Sequence, residues 1–140
     1  MKCVYFHLEK YNGSPTLDVN TTLAVPIDGE KHGYGLFELS GIIVAADGRK
    51  KTPLYLCCDV VEDSNVQGRK MPVLRQLLRN QGGLITNNLN HILWLSLNRP
   101  TITNIRLYIA DIDGNLAPLT SCRLNCALLF IPHHESTNRR

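Results

Sequence analysis

Apolar and polar residues alternate along much of this chain, and turn dipeptides separate the alternating stretches. The odd positions of residues 17–25, from Leu17 to Val25, keep a strict period of two, which places them all on one face of a strand. Residues 102–110 alternate in the same way, with Arg106 and Tyr108 on the polar side. Asx-Gly pairs, which suit tight hairpins, stand at residues 12–13, 28–29, 47–48 and 113–114. This pattern predicts short strands joined by turns.

Two stretches, residues 35–46 and 53–61, are apolar almost without interruption and rich in β-branched residues. Such strands are buried on both faces, or covered on the second face by a partner. Residues 73–78 are ambiguous, because their apolar positions follow a helical spacing and Pro72 suits a first helical turn, while a strand or loop stays open. Further strands are predicted at residues 3–8, 91–97 and 122–131.

Seven to eight short strands without βαβ alternation predict an all-β protein, an antiparallel β-sandwich of jelly-roll-like kind with at most one short helix. Residues 1–132 are expected to form this single domain and residues 133–140 a polar C-terminal tail. The 140 residues are 44% hydrophobic, which suffices for one core and excludes a disordered solvating segment.

The formal net charge of +3 is mild, and no sustained basic face appears. A dedicated nucleic-acid binder needs clustered Lys and Arg to neutralise several phosphates, so nucleic acid is not favoured as a partner. No apolar run reaches the roughly 18 to 20 residues that span a bilayer, and no signal segment opens the chain. The sequence therefore predicts a protein without a membrane span that is not secreted by a signal peptide.

The five cysteines form no Cys-x-x-Cys pair and are expected to be reduced. Cys57 and Cys58 are consecutive on a buried strand, so they point to opposite faces and are inert thiols. Cys122 and Cys126 share a strand face but lie about 13 Å apart, too far to hold one metal ion. Residues 111–115 lack the downstream glutamate of a calcium loop and are expected to form a hairpin turn. No catalytic, cofactor-binding or metal-binding residue is predicted, and the chain is not expected to be an enzyme.

One stretch resembles a known family. Residues 53–75 are similar to a pattern in which a strand ends in Asp-Val-Val-Glu and is followed by Val-x-Gly and Pro-Leu-Leu-Arg. Residues 20–39, 104–119 and 122–130 resemble further strands and turns of the same family in the same order. The family comprises the structural, capsid-associated proteins of Polinton or Maverick elements and adintovirus-like viruses. Arg69 departs from it, because the family has an acidic residue after Val-x-Gly.

The resemblance implies a viral or virus-derived structural protein, a capsid component that self-assembles and docks to other capsid proteins. It implies a virion location, with synthesis in the host cytoplasm or nucleus. The alternative is a non-catalytic β-sandwich adaptor that binds a peptide or receptor through a sheet edge. The residues expected to make contacts lie in turns and in the tail: Arg49, Lys50, Lys51, Arg69, Lys70, His133, His134, Arg139 and Arg140.

Overall fold

The structure, a computed structural model, describes residues 2–10, 13–46, 53–78, 83–86 and 94–133. Within them the chain forms eleven strands. They are β1 (Lys2–Glu9), β2 (Asp18–Asp28), β3 (His32–Ala45), β4 (Leu54–Cys58), β5 (Ser64–Val66), β6 (Arg69–Met71), β7 (Val73–Leu77), β8 (Leu84–Thr86), β9 (Leu95–Ser96), β10 (Thr101–Ala110) and β11 (Leu119–Pro132).

Two antiparallel sheets pack face to face. Sheet A has the order β1-β11-β3-β8, with the short β9 also paired to β3, and sheet B has the order β2-β10-β4-β7. Eight strands remain when β5, β6 and β9 are set aside. They pair from the two ends of the chain inwards: β1 with β11, β2 with β10, β3 with β8 and β4 with β7. One long hairpin rolled into two layers gives this pairing, which is that of a jelly roll. The all-β sandwich predicted from the sequence is confirmed.

The ambiguous segment at residues 73–78 is a strand. β7 pairs with β4 over Leu54–Cys57, and Leu74 and Leu77 turn toward the core. The helical alternative is wrong because the neighbouring strand supplies a ladder that a helix of under two turns cannot match. The strand predicted at residues 91–97 is described only from residue 94, where β9 covers Leu95–Ser96; its first part lies outside the described residues.

Side chains from the inner faces of the two sheets form one core. The alternation predicted for residues 102–110 is confirmed from Ile105 to Ile109, where the odd residues are fully buried, but Ile102 and Ala110, which have the opposite parity, are fully buried too. The prediction for Val25 is wrong. The period of two placed its side chain on the same strand face as the buried Leu17, but it is 61% exposed. The register between β10 and β2 shifts between Ile102 and Asn104, so the alternation breaks.

The second face of β4 is covered by the chain itself. All five β4 residues are buried. Tyr55 and Cys57 point away from the main core, and Met71 of β6 and Val66 of β5 pack on them in a second apolar cluster. The β5–β6 hairpin thus lies across the outer face of sheet B. The stretch at residues 53–61 therefore owes its continuous apolar character to two layers of the same molecule.

Gly41 is required by backbone contact in the middle of sheet A. Its φ is +141°, and a Cβ there would collide with the carbonyl oxygen of Arg123. Gly13 has a φ of +88° but open space around it. Both glycines have a backbone conformation that strains other residues, but only at Gly41 would a side chain also collide with a neighbouring strand.

We expect Gly41→Ala to lower the free energy of unfolding by more than about 3 kcal/mol, the range of large packing defects. Gly13→Ala, the matched control, should cost about 1 kcal/mol, the strain of a left-handed non-glycine residue. Urea denaturation followed by circular dichroism measures both. Equal losses for the two variants would contradict the contact at Arg123.

Candidate interaction surfaces

The outer face of sheet A carries exposed apolar side chains at both ends. At one end Tyr5 is 69% and Phe37 46% exposed, and at the other Ile42 is 47% and Val44 38% exposed. These four residues are called the apolar outer face below. They stand on β1 and β3, on either side of the central strand β11. The sequence indicated the part of this face on β3, as the almost uninterrupted apolar run at residues 35–46.

A polar band divides the apolar outer face. His7 Nδ1 and Asn125 Oδ1 are 2.9 Å apart, and Arg123 Nη2 donates to Glu9 Oε1 at 3.2 Å. Both pairs are exposed, so each contributes well under about 1 kcal/mol and can rearrange when another surface approaches. A depression of about 330 Å³ lies next to the Glu9 ion pair. It is lined by Glu9, Lys10, Ile42, Thr120, Ser121, Cys122 and Arg123.

The β5–β6 hairpin presents Arg69 and Lys70, two of the predicted contact residues, as exposed side chains. Its turn is tight, with Gln67 at φ +49° and Gly68 at φ +82°, and the Gly68 N–H donates to Asn65 Oδ1 at 2.8 Å. The stem of Arg69 passes close over Gly114, where a Cβ would lie 3.3 Å from Arg69 Cδ. The tight turn and the packing on Gly114 therefore define the position of the hairpin that carries Arg69 and Lys70.

His133 lies at another end of the molecule. Its backbone N–H donates to the Lys31 carbonyl at 2.9 Å, beside a depression of about 510 Å³ that His32 and Pro132 also line. The structure does not bring His133 together with the basic pair of the hairpin. The other predicted contact residues lie outside the described ranges: Arg49, Lys50, Lys51, His134, Arg139 and Arg140.

Sheet B carries a polar cluster that the sequence did not predict. Arg106 Nε and Nη2 donate to the two carboxylate oxygens of Asp18 at 2.8 and 2.9 Å, and the guanidinium lies 4.3 Å from the centre of the Tyr108 ring. The Arg106 hydrogen bond lowers the pKa of Asp18. Tyr108 in turn packs with Cys57 in the second apolar cluster. The registers of β2 and β4 against β10, which the sequence does not reveal, bring Asp18 and Cys57 next to Tyr108.

Four of the five thiols are buried, and burial determines their chemistry. It raises the pKa of Cys57 to about 11 and those of Cys58, Cys122 and Cys126 to about 12. All four stay neutral near pH 8, and a neutral thiol is a poor nucleophile. In the part of the chain that the structure describes, no three His, Cys, Asp or Glu side chains gather as metal ligands, and no helix has the length and hydrophobicity to cross a bilayer.

We expect a thiol reagent such as dithiobisnitrobenzoate to modify about one cysteine of the native protein within minutes at pH 8, the half-buried Cys3. In denaturant all five should react. Cys3→Ser should abolish the fast phase, and Cys57→Ser should leave it unchanged. A fast phase of two or more thiols would contradict the burial described for the other four.

Comparisons with protein-family models, with curated proteins and with solved structures give no match to this chain.

Proposed function

We propose that this chain is a viral or virus-derived structural protein that self-assembles and docks to sibling capsid proteins in a virion. One observation carries the proposal: the outer face of sheet A leaves Tyr5, Phe37, Ile42 and Val44 exposed, whereas the outer face of sheet B is covered over β4 by the chain's own β5–β6 hairpin. Exposed apolar groups on one sheet face favour contact with another apolar surface, because covering them removes apolar area from water.

The fold supports the proposal by analogy. Jelly rolls build viral capsid domains, but lectins and cupins share them, so the fold by itself assigns no function. Among these functions of jelly rolls, the resemblance at residues 53–75 favours the capsid proteins. In the structure this segment is β4, the β5–β6 hairpin and the start of β7, which together form and cover part of sheet B.

The apolar outer face suits assembly because of its area and because a symmetric particle repeats its contacts. Covering apolar surface contributes about 25 cal/mol per Å² to the free energy of association, and a stable interface needs roughly 800 Å² from each partner. Four half-exposed side chains supply a part of that area, and the weak polar pairs between them, Glu9 with Arg123 and His7 with Asn125, can exchange partners across the interface. A closed assembly repeats the same contact many times, so a weak contact suffices.

We expect the purified chain to form species larger than a dimer as its concentration rises into the range of about 100 µM, where weak contacts of this class associate. The double variant Ile42→Asp with Val44→Asp should suppress those species, because it places two charges where apolar side chains would be covered. Sedimentation velocity measures the size distribution, and negative-stain microscopy shows whether the species are rings or shells.

Val25→Asp is the matched control, because it removes an apolar side chain of similar exposure from sheet B. It should assemble like the unmodified chain, and all variants should unfold at similar temperatures. A chain that stays smaller than a trimer at every concentration, alone and with sibling capsid proteins, would contradict the proposal. A monomer that binds one extended peptide would favour the adaptor function instead.

A further inference from the structure

β1 is a regular strand at the edge of sheet A. It pairs with β11 residue by residue from Lys2 to Glu9 without any shift in register. No other strand in the described part of the chain pairs with its second edge. An edge of this kind presents backbone donors and acceptors in a row, which is a template for another strand.

The other edges of the two sheets carry the protections that usually prevent such pairing. Within the described residues, β8 and β9 are three and two residues long. The pairing of β2 shifts in register and the strand contains Pro26. The pairing of β7 also shifts in register, and Pro72 precedes the strand. Among the described edges, only β1 combines length, regular pairing and freedom from proline.

Charge does not block the β1 edge either. Its one lysine, Lys2, has the same parity as Val4 and Phe6, and its ammonium donates to the Val25 carbonyl on sheet B at 3.1 Å. His7 and Glu9 lie on the outer face, next to Asn125 and Arg123 of β11. Within Lys2–Glu9 the strand therefore sets no like charges opposite one another on an antiparallel copy centred on Phe6, and the one like-charge pair, Lys2 with Lys10, lies at the two ends of the contact.

The direction of the free backbone groups follows from one hydrogen bond. The Lys10 N–H donates to the Cys122 carbonyl at 3.0 Å, in register with the pairing of Glu9 with Arg123. Hydrogen-bonded and non-hydrogen-bonded pairs alternate in an antiparallel ladder, so the even residues of β1 face β11. The odd residues Cys3, Tyr5, His7 and Glu9 therefore direct their N–H and C=O groups to the open edge.

We infer that β1 pairs with β1 of a second copy of this chain, antiparallel and about a two-fold axis at Phe6, so that the two A sheets become continuous. In this register Tyr5 lies opposite His7 of the second copy and Cys3 lies opposite Glu9 of the second copy. All four odd residues then exchange hydrogen bonds, about eight in total. Phe6 meets its own copy on the core side, where Val4 meets Leu8.

The occupant is a second copy because the strand is self-complementary in this register and because one such contact closes. A two-fold contact uses the same edge on both molecules and leaves no free β1 edge, so it gives a dimer and not a fibre. A register centred on Tyr5 would use fewer of the odd residues of Lys2–Glu9 and is less favourable. The inference deepens the proposed function, on which it rests for an assembling chain, by naming the first step of assembly.

Tyr5→Pro tests the pairing. Proline removes the Tyr5 N–H and obstructs an added strand, yet this N–H faces away from β11, so β1 keeps its own ladder. We expect the variant to raise the dimer dissociation constant at least tenfold in sedimentation equilibrium, with the unfolding temperature changed little. Tyr5→Ala, which keeps the N–H, should dimerise more strongly than Tyr5→Pro.

Asn20→Pro is the matched control on sheet B. The Ile109 N–H donates to the Leu17 carbonyl, so by the same alternation the N–H of Asn20 faces the open edge of β2. Asn20→Pro should therefore change the dimer dissociation constant less than twofold. Equal dimerisation by Tyr5→Pro and Asn20→Pro, or an unmodified chain that shows no dimer at about 100 µM, would overturn the inference.

A disulfide tests the register. Cα atoms of a hydrogen-bonded antiparallel pair lie about 5.5 Å apart, within the range of a disulfide, whereas diagonal neighbours at about 7 to 8 Å do not. Mild oxidation of Glu9→Cys should therefore link two chains through Cys3, and His7→Cys should not. Preferential linking by His7→Cys would overturn the register centred on Phe6.

The outcomes separate the two proposals. Large assemblies that persist undiminished in Tyr5→Pro overturn β1 pairing and leave the proposed function in place. A dimer that Tyr5→Pro abolishes, but that never grows into larger species even with sibling proteins, supports β1 pairing and contradicts the proposed function.

Discussion

The contact between the inner faces of sheets A and B is the interaction on which the rest of the structure depends. Neither sheet is stable alone, because each has one apolar face that must leave water. β10 and β11 supply the centre of that contact, with residues such as Ile105, Leu107, Leu124 and Phe130 fully buried. The strands at the two centres are the long ones of the second half of the chain, and their partners come from the first half. The fold is therefore built mostly from pairings between residues far apart in sequence.

Once the inner faces are joined, the two outer faces are free to differ. Sheet B receives the β5–β6 hairpin, and Met71 excludes water from Tyr55 and Cys57. Beside this cover, the pairing of Arg106 with Asp18 completes a polar surface. Sheet A receives no comparable cover over Ile42 and Val44 within the described residues. Among the described residues, sheet A therefore keeps the less covered outer face.

Local patterns in the sequence predicted local consequences well. The alternation at residues 105–109 identified which side chains are buried, and the aspartate-rich turn at residues 111–115 forms as a turn, in which Asp111 Oδ1 accepts from the N–H groups of Asp113 and Asn115. The consecutive thiols Cys57 and Cys58 do lie on opposite faces, one in each apolar cluster. Each of these results depends on the period of a strand or on the chemistry of a few neighbouring residues.

The rest depended on which strand meets which, and that information is not local. Val25 turns outward because of a register shift against β10, and the strand at residues 73–77 forms because β4 lies beside it. The open edge of β1 is likewise a property of the assembled sheet, since only the position of β1 beyond β11 makes it an edge. A period of two identifies faces, but an edge is defined by the absence of a neighbour.

A regular unprotected edge is a hazard for a monomer, because it can pair with any exposed strand, including those of misfolded chains. Two-fold self-pairing removes the hazard, since both edges are consumed in one contact that cannot propagate. It also doubles the outer face of sheet A without any new residues, which places two copies of Ile42 and Val44 on one continuous sheet. If β1 pairs in this way, the least protected edge of the isolated molecule joins two A sheets and so enlarges the apolar outer face of the dimer.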